Sequence, residues 1–226
     1  MPALRAVLFD FGDTLFGRTG AHRAIVEDAA ARGVQVDEAT ALELWEAVQA
    51  EASTPEELAK GRDLSPEAHR ECWTALYSRL DSLAVGLGKA MYAREIDPFG
   101  WEPFADTEMT LRTLRSAGVP LSVVSDTGWD IRPVFGAHGL DELVDVFVLS
   151  CEHGVAKPAP RLFEVACDEL GVVPGETLMV GNNPLTDGGA IHAGLPTYIL
   201  PAAVDGGARG LDAVLTLLGM ETSPSA

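Results

Sequence analysis

The chain has 226 residues, a formal net charge of -18 and 47% hydrophobic residues, enough for one large domain, or one domain with a sizeable insertion, around an ample core. That charge opposes binding to nucleic acid or anionic lipid, and no apolar run approaches the length of a membrane span. Three cysteines, Cys72, Cys151 and Cys167, are odd in number and lack metal-ligand spacing; Cys167, within an apolar helical pattern, is expected as a buried inert thiol, and with no signal-peptide pattern before the first apolar run a soluble cytoplasmic protein is expected.

In chain order, Val7-Leu8-Phe9 is a short apolar run that stops at Asp10-Phe11-Gly12-Asp13-Thr14. It reads as a buried strand that delivers a carboxylate into the turn at its carboxyl end. The pattern then stays helical: Ala24, Ile25, Ala29 and Ala30 recur at helical spacing, as do Leu42, Trp45 and Val48, then Trp73, Leu76, Tyr77 and Leu80. Asp37 and Ser65-Pro66 read as helix starts. Asp97 to Pro103 has the composition of a hinge or linker. A helical insertion over 17–96 is therefore expected, with the core formed by 1–16 and 97–226.

Strand and helix alternate beyond it: strand 120–125, helix 129–138, strand 145–149, helix 159–170, strand 177–181, helix 188–193, strand 196–200, and a last helix over 211–218. Apolar strands with helical crossovers predict an α/β fold, a doubly wound parallel sheet covered on both faces, Rossmann-like in type. Residues 221–226 lack apolar periodicity, and a frayed tail is expected there.

Three later segments repeat the grammar of the first. Leu121-Ser122-Val123-Val124-Ser125-Asp126 ends a strand in a hydroxyl, Lys157 stands just before Pro158, and Val180-Gly181-Asn182-Asn183-Pro184-Leu185-Thr186-Asp187 ends a strand in carboxamides and an acid. In this order and spacing, with Gly188-Gly189-Ala190 and Ala193-Gly194 following, the four segments resemble the haloacid dehalogenase-like hydrolase superfamily. The resemblance runs from about residue 5 to 200 and includes a helical cap inserted after the first motif.

That resemblance implies catalysis by Asp10 as nucleophile with Ser125 and Lys157, and substrate binding by Ser125, Asp126 and Lys157. Asp10 would form an acyl-phosphate that water later hydrolyses, Ser125 would hydrogen-bond a phosphate oxygen, and Lys157 would neutralise charge. Mg²⁺ would be held by Asp10, the backbone carbonyl of Gly12, Asn182 and Asp187, with Asp187 the main anchor. The function this implies is a Mg²⁺-dependent phosphatase of small phosphorylated metabolites, with a phosphate ester as its small-molecule partner and the oligomeric state open.

Two departures from the family pattern bear on that reading. Gly12 stands where an Asp general acid/base is usual, and Asn182 stands where the acidic loop usually opens with an acid. They motivate two alternatives: a catalytically weak or inactive binding protein of the same fold, and a metal-independent 2-haloacid dehalogenase, in which Arg18, Arg23 or Arg32 would meet the substrate carboxylate. Strand alternation turns Asp13 away from Asp10 into a turn role. His22 and Arg23 are expected on a solvated helix face, His138, His153 and His192 at surface or helix-end positions, and Trp129 in helix packing.

Overall fold

The computed structural model describes residues 3–18, 20–201 and 207–220. β1 (Ala6–Phe9) is the central strand, followed by a two-residue strand β2 (Phe16–Gly17). The helical stretch comprises α1 (Ala21–Ala30), α2 (Glu38–Ala52), α3 (Pro55–Leu58), α4 (Pro66–Tyr77) and α5 (Leu87–Glu95). β3 (Glu102–Pro103) then leads to α6 (Thr107–Ser116), β4 (Leu121–Ser125), α7 (Arg132–Ala137), β5 (Val146–Leu149), α8 (Ser150–His153) and α9 (Pro160–Leu170). β6 (Thr177–Gly181), β7 (Thr197–Ile199) and α10 (Asp212–Leu217) complete the chain.

β5, β4, β1, β6 and β7 form one five-stranded parallel sheet in that order. The chain runs outward from β1 in both directions, so the crevice at its carboxyl end, between β4 and β6, is the topological switch point where open α/β sheets bind ligands. Alternate residues of the strands feed two cores. Val7, Phe9, Val123 and Val180 pack on one face with Leu111, Leu114 and Phe135, while Leu8, Val124, Val148 and Met179 pack on the other with Leu162, Phe163 and Ala166. Burial on both faces is why these strands read as continuous apolar runs.

α1 to α5 carry a separate apolar cluster that includes Ile25, Val48, Trp73, Leu76, Tyr77, Leu87 and Met91. The Asp37 carboxylate caps α2 by accepting the Thr40 N–H, and the Ser65 hydroxyl caps α4 by accepting that of Ala68, each satisfying one orphan donor of a first turn. Among the described residues, no helix is long and apolar enough to cross a membrane.

The structure differs from the sequence expectation in three places. Asp97 to Pro103 is not a plain linker: it contains a 3₁₀ turn at Pro98–Gly100 and β3, which pairs antiparallel with β2, so the chain leaves and re-enters the sheet layer through a two-stranded ribbon. Residues 187–193 form a 3₁₀ helix rather than an α-helix. α5, whose start is marked by Gly86 in the left-handed region (φ 81°) rather than by a capping side chain, carries no stripe strong enough to be read ahead. The expected frayed tail at 221–226 lies outside the described residues.

The helical layer seats directly on the sheet layer. Gly128 lies so close to His69 that an added Cβ would fall 2.2 Å from the His69 Cβ and 2.9 Å from the Arg62 carbonyl oxygen. Only a residue without a side chain allows that approach. Beside it, the buried Ser150 hydroxyl bonds the Asp63 carbonyl of the helical layer and accepts the Thr127 N–H at 2.9 Å.

Candidate active site

The crevice at the carboxyl ends of β1, β4 and β6 opens into a cleft of about 310 Å³ whose far wall is built by α2 to α5. Asp10 is the residue after β1, and its N–H donates to the Val180 carbonyl at 2.9 Å, which ties the acid to the neighbouring strand. Lys157 Nζ lies 2.6 Å from Asp10 Oδ1 and 2.6 Å from Asp187 Oδ1, with only 3% of the lysine side chain exposed. Ser125, at the end of β4, is buried and lines the same cleft.

Burial pushes the Asp10 carboxyl up to about 7 against the pull of Lys157, and the nearby Asp187 adds to the rise. Burial also works against the Lys157 ammonium, but Asp10, Asp187 and Asp126 together hold it above its ordinary value. One ammonium between two buried carboxylates leaves negative charge in excess, so the cost of burial falls on a carboxyl and the lysine stays charged.

Thr14 was not singled out from sequence. It is fully buried, and its hydroxyl lies 3.1 Å from Asp10 Oδ2 and 3.4 Å from Asn182 Oδ1. Its single proton serves one of these two acceptors at a time. The spacing of four residues from Asp10 was visible, but the reversal of the chain that folds Thr14 back was not.

Asp187 requires a correction. Its carboxylate is fully buried and does not line the cleft: Oδ1 accepts from Lys157 and Oδ2 accepts the Asn183 N–H at 2.9 Å. It packs so tightly behind Gly181 that a Cβ there would fall 2.2 Å from Oδ2. With both oxygens engaged inside the protein, it holds Lys157 and the Asn183 turn rather than facing the cleft as a metal anchor. Among the described residues, no group of three or more His, Cys, Asp or Glu is gathered for a metal. Of the four residues expected to hold a metal, Asp10, Gly12 and Asn182 line the cleft, a single carboxylate and a carboxamide beside a backbone carbonyl.

Asp126 lines the cleft as well, with one oxygen accepting the Lys157 N–H at 2.8 Å, so it also fixes the lysine's loop. Asp13 takes the turn position expected of it: strand geometry has ended at Phe9, Asp13 adopts φ 54° in the turn that follows, and it is one of the residues lining the cleft. Its backbone is clamped there: the N–H bonds the Phe16 carbonyl at 2.7 Å, and Arg209 Nε donates to its carbonyl at 2.6 Å. Gly12 does not adopt a positive φ, and a Cβ on it would meet only Trp101, at 3.8 Å.

The helical layer contributes residues that sequence periodicity did not mark. Arg18 pairs with the buried Glu95, which also accepts from the Tyr77 hydroxyl at 2.6 Å, and the Arg18 guanidinium lies 4.9 Å from the Trp45 ring centroid and 5.0 Å from that of Trp101. Burial opposes the Arg18 charge, yet Glu95 and Tyr77 hold it above its ordinary value. Arg62 pairs with Asp63 at 3.2 Å and sits over the Trp73 ring. Burial raises Asp63 to about 6 and lowers His69 to about 4, so that histidine is neutral near pH 7. These residues come from separate turns of the helical layer, and their convergence over Asp10 is a long-range fact with no local signal.

The remaining sequence expectations sort simply. Trp129 both packs on the core and lines the cleft. Arg23 is largely exposed, 3.8 Å from Glu38, and does not line the cleft; nor does Arg32, which binds the Asp28 carbonyl. His138 has its ring Nε2 2.7 Å from the Trp101 carbonyl oxygen, and His153 and His192 are exposed. Cys72, Cys151 and Cys167 are all free.

A buried acid and lysine thus lie at the switch point of a parallel, Rossmann-like sheet, beneath a helical layer. The family model for the haloacid dehalogenase-like hydrolases matches residues 4–194, and the chain belongs to that family. It is 30% identical over 203 residues to the glyceraldehyde 3-phosphate phosphatase of Methanothermobacter thermautotrophicus, a match covering 87% of this chain and 85% of that one. It is 32% identical over 94 residues to (S)-2-haloacid dehalogenase 2 of a Pseudomonas species, covering 41% of each chain. A crystal structure of a dehalogenase superposes with a TM-score of 0.71 at 25% identity, covering 98% of this chain and all of that one.

Proposed function

We propose that the protein is a Mg²⁺-dependent phosphatase of small phosphorylated metabolites, acting through Asp10, with the α1 to α5 layer as its cap and a cytoplasmic location. The observation that carries the reading is the Asp10 carboxylate held 2.6 Å from a buried Lys157 ammonium at the mouth of the sheet crevice. An Asp10 oxygen attacks phosphorus in line, the bond from phosphorus to the ester oxygen breaks with its electron pair on that oxygen, and water then cleaves the acyl-phosphate to orthophosphate. Lys157 offsets charge on the transferring group, and Ser125 donates to one of its oxygens.

The excess of carboxylates around the cleft suits a divalent cation. Mg²⁺ commonly rests on one or two carboxylates, substrate phosphate oxygens and waters, and Asp10, the Gly12 carbonyl and Asn182 would hold it here. When bound it would supply positive charge for the phosphoryl oxygens. The phosphatase relative matched over most of the chain also supports this reading.

A metal-independent dehalogenase is the second reading, favoured by the dehalogenase relatives. Against it, the arginine facing the cleft from the first connection, Arg18, is already paired with Glu95. A panel of phosphate esters with and without Mg²⁺, run beside halide release from 2-chloroacids, tests both. Phosphate release that needs Mg²⁺ supports the proposal, and halide release without metal overturns it.

A further inference from the structure

Resting on the phosphatase reading, the cleft's charge pattern carries the inference further, to the part of the substrate that leaves. Five carboxylates line the cleft, those of Asp10, Asp13, Asp63, Glu95 and Asp126, against three cations, Arg18, Arg62 and Lys157. Each cation already has a carboxylate partner: Glu95 for Arg18, Asp63 for Arg62, and Asp10 with Asp187 for Lys157. The two arginines are held further, one between Trp45 and Trp101, the other by the Ala52 carbonyl and the Trp73 ring. Among the described residues, the helical side of the cleft has no uncommitted cation with which to meet a second anion.

A buried donor on that side is uncommitted. Gln49 of α2 lines the cleft, and its carboxamide Nε2 is buried without a hydrogen-bond partner. A buried unpartnered N–H is costly until an acceptor arrives, and the acceptor that comes at no charge is a hydroxyl or carbonyl oxygen. Trp73, Trp101 and Trp129 add apolar surface to the same cleft.

We propose that the cleft selects monophosphate esters whose leaving group is electrically neutral and bears a hydroxyl or carbonyl, which accepts a hydrogen bond from Gln49, and that it rejects esters carrying a carboxylate or second phosphate there. A second anion would have to break an existing ion pair or lie uncompensated among like charges, and like-charge placement in a partly dry site is strongly disfavoured.

The test compares glycerol 3-phosphate with 3-phosphoglycerate, which differ by a hydroxymethyl against a carboxylate. With Mg²⁺ present, kcat/KM should favour glycerol 3-phosphate by about tenfold or more. Asp63→Asn, which frees Arg62, should narrow that ratio severalfold, and Gln49→Leu should raise KM for glycerol 3-phosphate more than it lowers kcat. Calorimetry of both esters on the Asp10→Asn protein reads the same preference without turnover and does not depend on how the other variants fold. Equal or reversed preference, with turnover intact, overturns this inference and leaves the phosphatase reading standing. Neither turnover nor binding of either ester removes both.

Discussion

Replacing Asp187 by Asn separates two roles that the same sequence position could hold. In the structure its carboxylate accepts from Lys157 at 2.6 Å and from the Asn183 N–H at 2.9 Å, wholly out of solvent. The carboxamide keeps the shape but offers one acceptor and one donor group, so one of these two bonds is lost and Asp10 is left as the only carboxylate bonded to the Lys157 ammonium. A hydrogen bond to a charged group contributes about 1.5–3 kcal/mol, and the unmet partner adds to the loss. About 2–3 kcal/mol is expected, because Asp10 still pairs the ammonium and the full penalty of an isolated buried charge is avoided. For a chain of this size that lowers Tm by about 4–12 °C, measurable by circular dichroism. Phosphatase kcat should fall by up to about 10²-fold as Lys157 is drawn off its position, while calorimetric Mg²⁺ affinity changes little. Loss of Mg²⁺ binding with an unchanged Tm would show that Asp187 faces the metal, and the geometric argument would be wrong.

Three other perturbations test separate parts of the site. Asp10→Asn should abolish turnover while leaving the circular dichroism spectrum intact, because the carboxamide is nearly isosteric yet forms no acyl-phosphate; activity within about tenfold of wild type would remove the nucleophile role. Gly12→Asp should be accommodated, since a Cβ there meets only Trp101 at 3.8 Å, and should raise hydrolysis of alkyl phosphates by about 10²-fold or more by restoring a general acid; a flat response would mean another group already supplies the proton. Asp63, held near 6 by burial, binds a proton in the folded chain that the unfolded chain has released above about 4, so stability present at low pH is lost as pH rises through 4 to 6. Asp63→Asn removes that loss. The difference in Tm between variant and wild type should therefore be more positive at pH 7 than at pH 4, and an equal difference at both would refute the burial effect.

Much of the sheet layer could be read ahead because its logic is local. An apolar run covered on both faces announces a buried strand, and a polar residue at its end announces the crevice, which is how Asp10, Ser125 and the Asn182 loop came together on paper. Lys157 carried a weaker signal, a cation beside a proline in a segment without periodicity, and it was placed through the resemblance. Asp187 was misread for a physical reason: spacing brings an acid near the cleft but does not say whether a lysine and a backbone N–H reach its oxygens first. Asp13 holds the turn role read for it, but alternation gave no sign that the same turn brings it to the cleft. Gln49, Arg62 and His69 gave no warning at all, since their meeting over Asp10 depends on how one helical layer settles on another.

The tightest point described in that settling is the notch of Gly128 against His69. A methyl group there would act as a wedge and hold the helical layer ajar, although no atom at position 128 takes part in the chemistry. On the proposed phosphatase reading, the breadth of esters admitted and the dryness around Asp10 would then be traded against each other at one backbone position. On that reading a lineage could widen its substrate range there while leaving every reacting group untouched.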